Sequence, residues 1–156
     1  MQKISPFFWF NDNAEEAVNF YTSLFKDSKI KTVSRYGEAG PGPAGSVMVM
    51  EFELFGQNYL ALNGGPIYTF NEAVSLMIHC EDQAEVVNYW DKLADGGQPI
   101  ACGWIKDKFG LCWQVVPNGL TELITDPDPE KSQRAMAAMM KMEKLDIDEL
   151  RRAHAG

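Results

Sequence analysis

One histidine, His79, stands in the body of the chain, and the other, His154, lies two residues from its end. Imidazole changes charge nearest neutral pH. His79 is therefore the first candidate for an acid/base or hydrogen-bonding group in a pocket, and the competing reading is a strand-end histidine satisfied by a neighbour. His154, so close to the terminus, is expected to be mobile. The three cysteines, Cys80, Cys102 and Cys112, form no C-x-x-C, and an odd count builds neither a disulfide framework nor a structural zinc site. They are expected to be small buried hydrophobes in a reducing compartment, and no histidine motif activates one as a nucleophile. Tyr59 and Asn63 share a strand face by alternation and are candidate polar pocket groups. A structural reading stands beside each: Tyr59 as core, and Asn63 before Gly64 as turn chemistry. Trp104 and Trp113 flank a turn at 107–110 and are expected to pair across it. Glu51 and Glu53, alternating with Phe52 and Leu54, read as the solvent face of a strand.

Two nucleotide signatures are missing. Gly64-Gly65 is no phosphate loop, because G-x-x-x-x-G-K-[ST] is absent. No G-x-G-x-x-G opens a helix after a strand. Charge narrows the partners further. With 14 basic and 22 acidic residues the net charge is −8, which disfavours nucleic acid and anionic membrane surfaces. No apolar run approaches the roughly 20 residues of a spanning helix. The apolar start at 4–10 leads into Asn11, Asp12, Glu15 and Glu16 where a signal peptide would have a cleavage site. It reads as a first strand, and the protein as cytoplasmic.

At 156 residues, 46% of them hydrophobic, the chain makes one domain or two small modules sharing a core. A buried strand at 4–10 meets Asn11-Asp12-Asn13, which offers cap oxygens to an amphipathic helix at 14–25. Strands follow at 29–36, 46–55 and 58–62, with a Gly/Pro loop at 37–45 and a turn at Gly56. The order then restarts: a strand at 74–80, a helix at 82–93 stopped by Gly96-Gly97, and short strands near 98–100, 102–106 and 111–116. The rest is helical, its largest piece running from 129 to 142 with Asp128 as cap and Pro129 in the first turn. Val18-Asn19-Phe20-Tyr21-x-x-Leu24 matches Val87-Asn88-Tyr89-Trp90-x-x-Leu93 at an offset of 69, and the same offset lays 6–10 over 75–79.

Paired βαβββ modules of this size resemble the vicinal oxygen chelate superfamily of glyoxalases, bleomycin-resistance proteins and extradiol dioxygenases. Within it the chain is similar to the PhnB-like family, often labelled demethylubiquinone 3-methyltransferases. The residues carrying the resemblance are Phe10-Asn11-Asp12-Asn13-Ala14-Glu15-Glu16-Ala17, Leu62-Asn63-Gly64-Gly65-Pro66, Phe70-Asn71-Glu72-Ala73-Val74-Ser75 and Asp107-Lys108-Phe109-Gly110-Leu111-Cys112-Trp113-Gln114. The resemblance implies an α+β fold, two βαβββ modules (about 1–66 and 72–117) forming a curved mixed sheet around a cavity. That paired domain spans 1–126, and a helical extension occupies 127–156.

In that superfamily each module presents His and Glu metal ligands on the concave sheet face. Here the resemblance puts Pro6, Ala61, Ser75 and Gln114 at those places, none a strong ligand. No metal and no cofactor are expected. The expected function is a metal-free pocket for a small organic molecule, bordered by Tyr59, Asn63, Met77, His79 and Gln114. The alternatives are a metal-assisted lyase or isomerase using His79, and the methyltransferase of the family label. A homodimer is expected, as superfamily members commonly pair; Met136, Met139, Met140 and Met142 in one segment add an apolar surface to pack.

Overall fold

The computed structural model describes residues 2–156. Contacts divide the chain into two compact units, Met1–Phe70 and Asn71–Gly156. The first runs β1 (Phe7–Phe10), α1 (Ala14–Leu24), β2 (Ser28–Arg35), β3 (Val47–Leu54) and β4 (Gln57–Asn63). Its sheet has the order β1-β4-β3-β2, with β1 parallel to β4 and the other pairs antiparallel. Three- and four-residue spacing puts Ala14, Ala17, Val18, Tyr21 and Leu24 on the buried side of α1. The sheet face it covers carries Phe8, Phe10, Met50, Phe52, Tyr59 and Ala61, all buried. Tyr59 stacks between Phe8 and Phe52, with ring centroids 5.9 and 5.5 Å away, and Tyr21 lies over Phe52 at 6.4 Å. Burying one such ring stabilises the fold by roughly 1.5–3 kcal/mol. On the opposite face Glu51 and Glu53 stand beside Lys31 and Lys29 at 3.5 and 3.8 Å, the solvent role their alternation predicts. The outer strand β2 is exposed along nearly all its length, and its pairing with β3 slips between Ile30 and Thr32 and again between Ser34 and Arg35.

The helix start is held from a distance. Asn13 makes no side-chain cap bond. Instead Asn63, at the end of β4, accepts the Ala14 N–H on Oδ1 at 2.8 Å and donates from Nδ2 to the Val47 carbonyl at 3.1 Å. The Tyr36 hydroxyl donates to the Asn63 carbonyl. Next to it the Trp9 indole lies on Gly64, where a Cβ would sit 2.4 Å from Trp9 Cε2, and its Nε1–H reaches the Gly65 carbonyl at 2.9 Å.

The second unit runs β5 (Ser75–Cys80), α2 (Gln83–Ala94), β6 (Gln98–Pro99), β7 (Trp104–Lys106), β8 (Cys112–Pro117), α3 (Leu120–Ile124), α4 (Pro129–Met139) and α5 (Ile147–Ala155). Its sheet has the order β5-β8-β7-β6, again with one parallel pair, β5 with β8. The fold is thus mixed α+β, with two four-stranded mixed sheets and a helical C-terminal part. Asp82, Asp128 and Asp146 cap α2, α4 and α5, each accepting backbone N–H groups of the first turn. Val86, Trp90 and Leu93 bury one side of α2, over a sheet face carrying Ile78, Cys80, Ile105, Trp113 and Val115. The turn between β7 and β8 is built on Asp107, 3% exposed. Its Oδ1 accepts the Phe109 and Leu111 N–H groups at 2.8 and 3.1 Å, and its Oδ2 accepts Trp113 Nε1–H at 2.9 Å. The resulting register pairs Trp104 with Gln114 and Ile105 with Trp113. The two tryptophans therefore point to opposite faces and do not pair across the turn, because adjacent residues on a strand alternate sides.

The C-terminal helices fold back on this sheet. Leu120, Met142, Leu145 and Leu150 form their core, with Val116, Ile124 and Met139 packed against it. Cys102 N–H and Gly103 N–H donate to the Met142 and Glu143 carbonyls, both at 2.8 Å. Gln83 clasps the chain from α2, donating to the Leu145 carbonyl at 2.8 Å and accepting the Ile147 N–H at 2.9 Å. His154 is tied into the fold. Its Nε2 is 2.9 Å from Asp126 Oδ2, and Arg134 donates to the Ala153 and His154 carbonyls, which pins the end of α5.

The repeat offset changes along the chain. In the helices it is 69: Ala17, Tyr21 and Leu24 correspond to buried Val86, Trp90 and Leu93. In the first strands it is 70. Phe10 accepts the Gly64 N–H as Cys80 accepts the Asn118 N–H, and the exposed–buried alternation of 7–10 matches that of 77–80. Ser75 therefore corresponds to Ser5, not Pro6. By the same pairing Gln114 corresponds to Leu60, and Ala61, under α1, is on the covered face.

Candidate functional site

The face of the second sheet away from α2 presents Ser75, Met77 and His79 from β5, Gln114 and Val116 from β8, and Trp104 from β7. Register sets them in rows: Met77 beside Gln114 beside Trp104, and His79 beside Val116. Gln114 Nε2 donates to Ser75 Oγ at 2.9 Å, which fixes the carboxamide. The C-terminal helices stand over this face. Together they enclose a pocket of ≈ 470 Å³, which Cys102, Leu120, Thr121, Glu122, Ile124 and Met139 also line. Its walls are mainly apolar, with a few polar groups at fixed points.

Of the five residues expected to border a site, the structure brings Met77, His79 and Gln114 together in this pocket. Tyr59 and Asn63 belong to the first unit: Tyr59 is in the aromatic stack, its phenol pushed up by burial, and Asn63 holds the start of α1. Sequence reasoning missed Trp104 and Cys102 as pocket residues. Alternation counted across the hairpin from Gln114 would have found Trp104. The lining from α3 and α4 carries no repeat counterpart and left no signal. Cys80 and Cys112 are buried; burial pushes the Cys80 thiol up to about 12 and raises that of Cys112. Cys102 is the partly exposed thiol of the three.

A divalent metal of the kind held by the superfamily the sequence resembles needs three or four strong N, O or S donors. Ser75, Met77 and Gln114 offer a hydroxyl, a thioether and a neutral amide, and Gln114 is bonded to Ser75. His79 is four residues, about 13 Å, along the strand from Ser75. Among the described residues no three His, Cys, Asp or Glu side chains cluster to hold a metal. These residues do not fit the metal.

The family model described as 3-demethylubiquinone-9 3-methyltransferase matches residues 2–116. The chain belongs to this family. A putative 3-demethylubiquinone-9 3-methyltransferase, PhnB protein, from Bacillus cereus is 40% identical, with a TM-score of 0.67; the match covers 74% of this chain and 99% of that one. The protein PA1353 from Pseudomonas aeruginosa is similar in fold at 22% identity, covering 75% of this chain and 98% of that one, TM-score 0.62. The fosfomycin resistance protein FosX from Mesorhizobium loti has the same fold at 13% identity, covering 78% and 97%, TM-score 0.53. The fold is the one these structures share. No protein of curated function matches the chain. Among the described residues no helix is long and apolar enough to cross a membrane.

Proposed function

We propose that the protein binds a small organic molecule, without a metal, in the pocket over the open face of the second sheet, and that it does so as a homodimer. One observation carries the reading: Met77, His79, Gln114 and Trp104 line a single ≈ 470 Å³ space on that face. That volume is within the roughly 300–1,000 Å³ typical of ligand pockets, and apolar walls with few fixed polar groups are their usual chemistry. The family's name describes methyl transfer, but Gly64 serves packing, since Trp9 occupies the space a side chain there would need, and Gly65 serves a left-handed turn at φ 94°.

Native mass spectrometry of protein purified without chelators tests the reading. An organic adduct that Met77→Trp removes supports it. A stoichiometric metal would favour a metal-assisted lyase or isomerase, and bound S-adenosylmethionine the methyltransferase. Light scattering at micromolar concentration is expected to give twice the chain mass, and a monomer would refute the dimer.

A further inference from the structure

We infer that the C-terminal helices make this pocket selective for neutral or cationic aromatic molecules over anionic ones. The inference rests on the pocket being the binding site. Residues 2–116 are what the chain shares with its family, and the B. cereus relative, covered to 99%, accounts for 74% of this chain. Yet only six lining residues, Met77, His79, Cys102, Trp104, Gln114 and Val116, fall within the shared range. The remainder come from the segment after it, so a ligand here meets walls the family match does not include.

The chemistry of those walls is one-sided. Glu122 is the one carboxylate lining the pocket, and no lysine or arginine lines it. An anion would leave water for a partly apolar space with a like charge at its exposed rim, and with no lysine or arginine to offset the desolvation. Gln114 gives one Nε2 N–H to Ser75 Oγ, leaving its carbonyl oxygen and its second N–H for a ligand. Gln114 lies on the sheet wall and Glu122 on α3. Between them Trp104 supplies an aromatic wall and Met77 and Met139 supply adaptable thioethers, which suits a flat ring system.

Two dyes that differ in charge test this on the full chain: N-phenyl-1-naphthylamine, a neutral diarylamine, and 8-anilinonaphthalene-1-sulfonate, the same scaffold carrying a sulfonate. Fluorescence titration should show the neutral dye binding at least about tenfold tighter. Met77→Trp, or Ile124→Trp from the opposite wall if the first variant melts early, should abolish that binding and so locate it. Glu122→Lys should strengthen the sulfonate about tenfold and change the neutral dye less than about threefold. Equal or tighter binding of the sulfonate, or a ratio that Glu122→Lys leaves unchanged, overturns the inference while dye binding sensitive to the filling variants keeps the pocket. If neither dye shows binding that the filling variants remove, the pocket itself is wrong and the inference falls with it.

Discussion

Replacing Asp107 with alanine should unfasten the hairpin that sets Trp104 beside Gln114. The carboxylate accepts the Leu111 N–H and Trp113 Nε1–H in fully buried surroundings, and the Phe109 N–H in half-buried ones. Each buried donor deprived of its acceptor costs about 1–3 kcal/mol, and bonds to a charged acceptor lie toward the top of that range. Two buried donors and one that water can reach give an expected loss of about 4 kcal/mol. Asp107→Asn is the sharper variant. Its carbonyl oxygen can keep the two backbone donors, but its amide N–H then faces the indole N–H, donor to donor. Trp113→Phe removes that conflict, so the double variant should lose less than the sum of the single losses, by at least about 1 kcal/mol. Urea unfolding followed by tryptophan fluorescence and far-UV circular dichroism measures all four proteins. A loss under about 1 kcal/mol for Asp107→Ala, or strict additivity in the cycle, would refute the account.

Asn63→Ala takes the cap from α1 and the donor from the Val47 carbonyl, and should cost the first unit about 2 kcal/mol; unchanged unfolding would mean Asn13 can cap the helix after all. Cys102 should react with a thiol reagent while Cys80 and Cys112 stay silent until unfolding, read by mass spectrometry of tryptic peptides, and a pocket ligand should slow it. The Asp128 N–H first and His154 second hold the Asp126 carboxyl below its ordinary value of 3.8. A lowered folded value stabilises the protein fully above the unfolded value and ceases to do so as pH falls through the folded one. Asp126→Asn should therefore lower the melting temperature near pH 6 and make no difference near pH 2, and a deficit that persists in acid would show the effect is not ionisation.

Where periodicity was strong, the sequence could be read directly. The amphipathic spacing of 14–24 and 83–94 marked both helices, and Asp128 with Pro129 marked the start of α4. Reading failed where one residue of slip matters. The connection from Phe10 to the helix cap at Asn13 is three residues, and from Cys80 to Asp82 two, so an offset found on helices turns strand residues over. That slip put Pro6 where Ser5 belongs; Tyr59 and Ala61, which the resemblance set on the pocket face, lie buried under α1. Asn63 was legible as a pocket group or a turn residue but not as the cap of α1, because its partner Ala14 is 49 positions away and no local pattern joins them. The pocket wall was hidden for a related reason. Leu120, Ile124 and Met139 have ordinary helical spacing, and only tertiary contact turns that spacing toward the sheet.

The irregular pairing of β2 also bears on how the chain survives its own synthesis. A long outer strand with Ile30 and Val33 exposed offers a template on which another newly made chain could add strands. Two slips of register within eight residues interrupt that template, since a bulge breaks the even row of free N–H and C=O groups and increases the local twist. Lys29, Lys31 and Arg35 place like charges along the same strand, so two copies approaching edge to edge bring cation against cation. Straightening the strand and replacing Lys31 with an apolar residue would remove the Lys31–Glu51 ion pair and the Lys31–Asn58 hydrogen bond but leave the buried face of the sheet in place. It would also convert this edge into a nucleus for fibrous aggregates, a liability that folded-state stability measurements would miss.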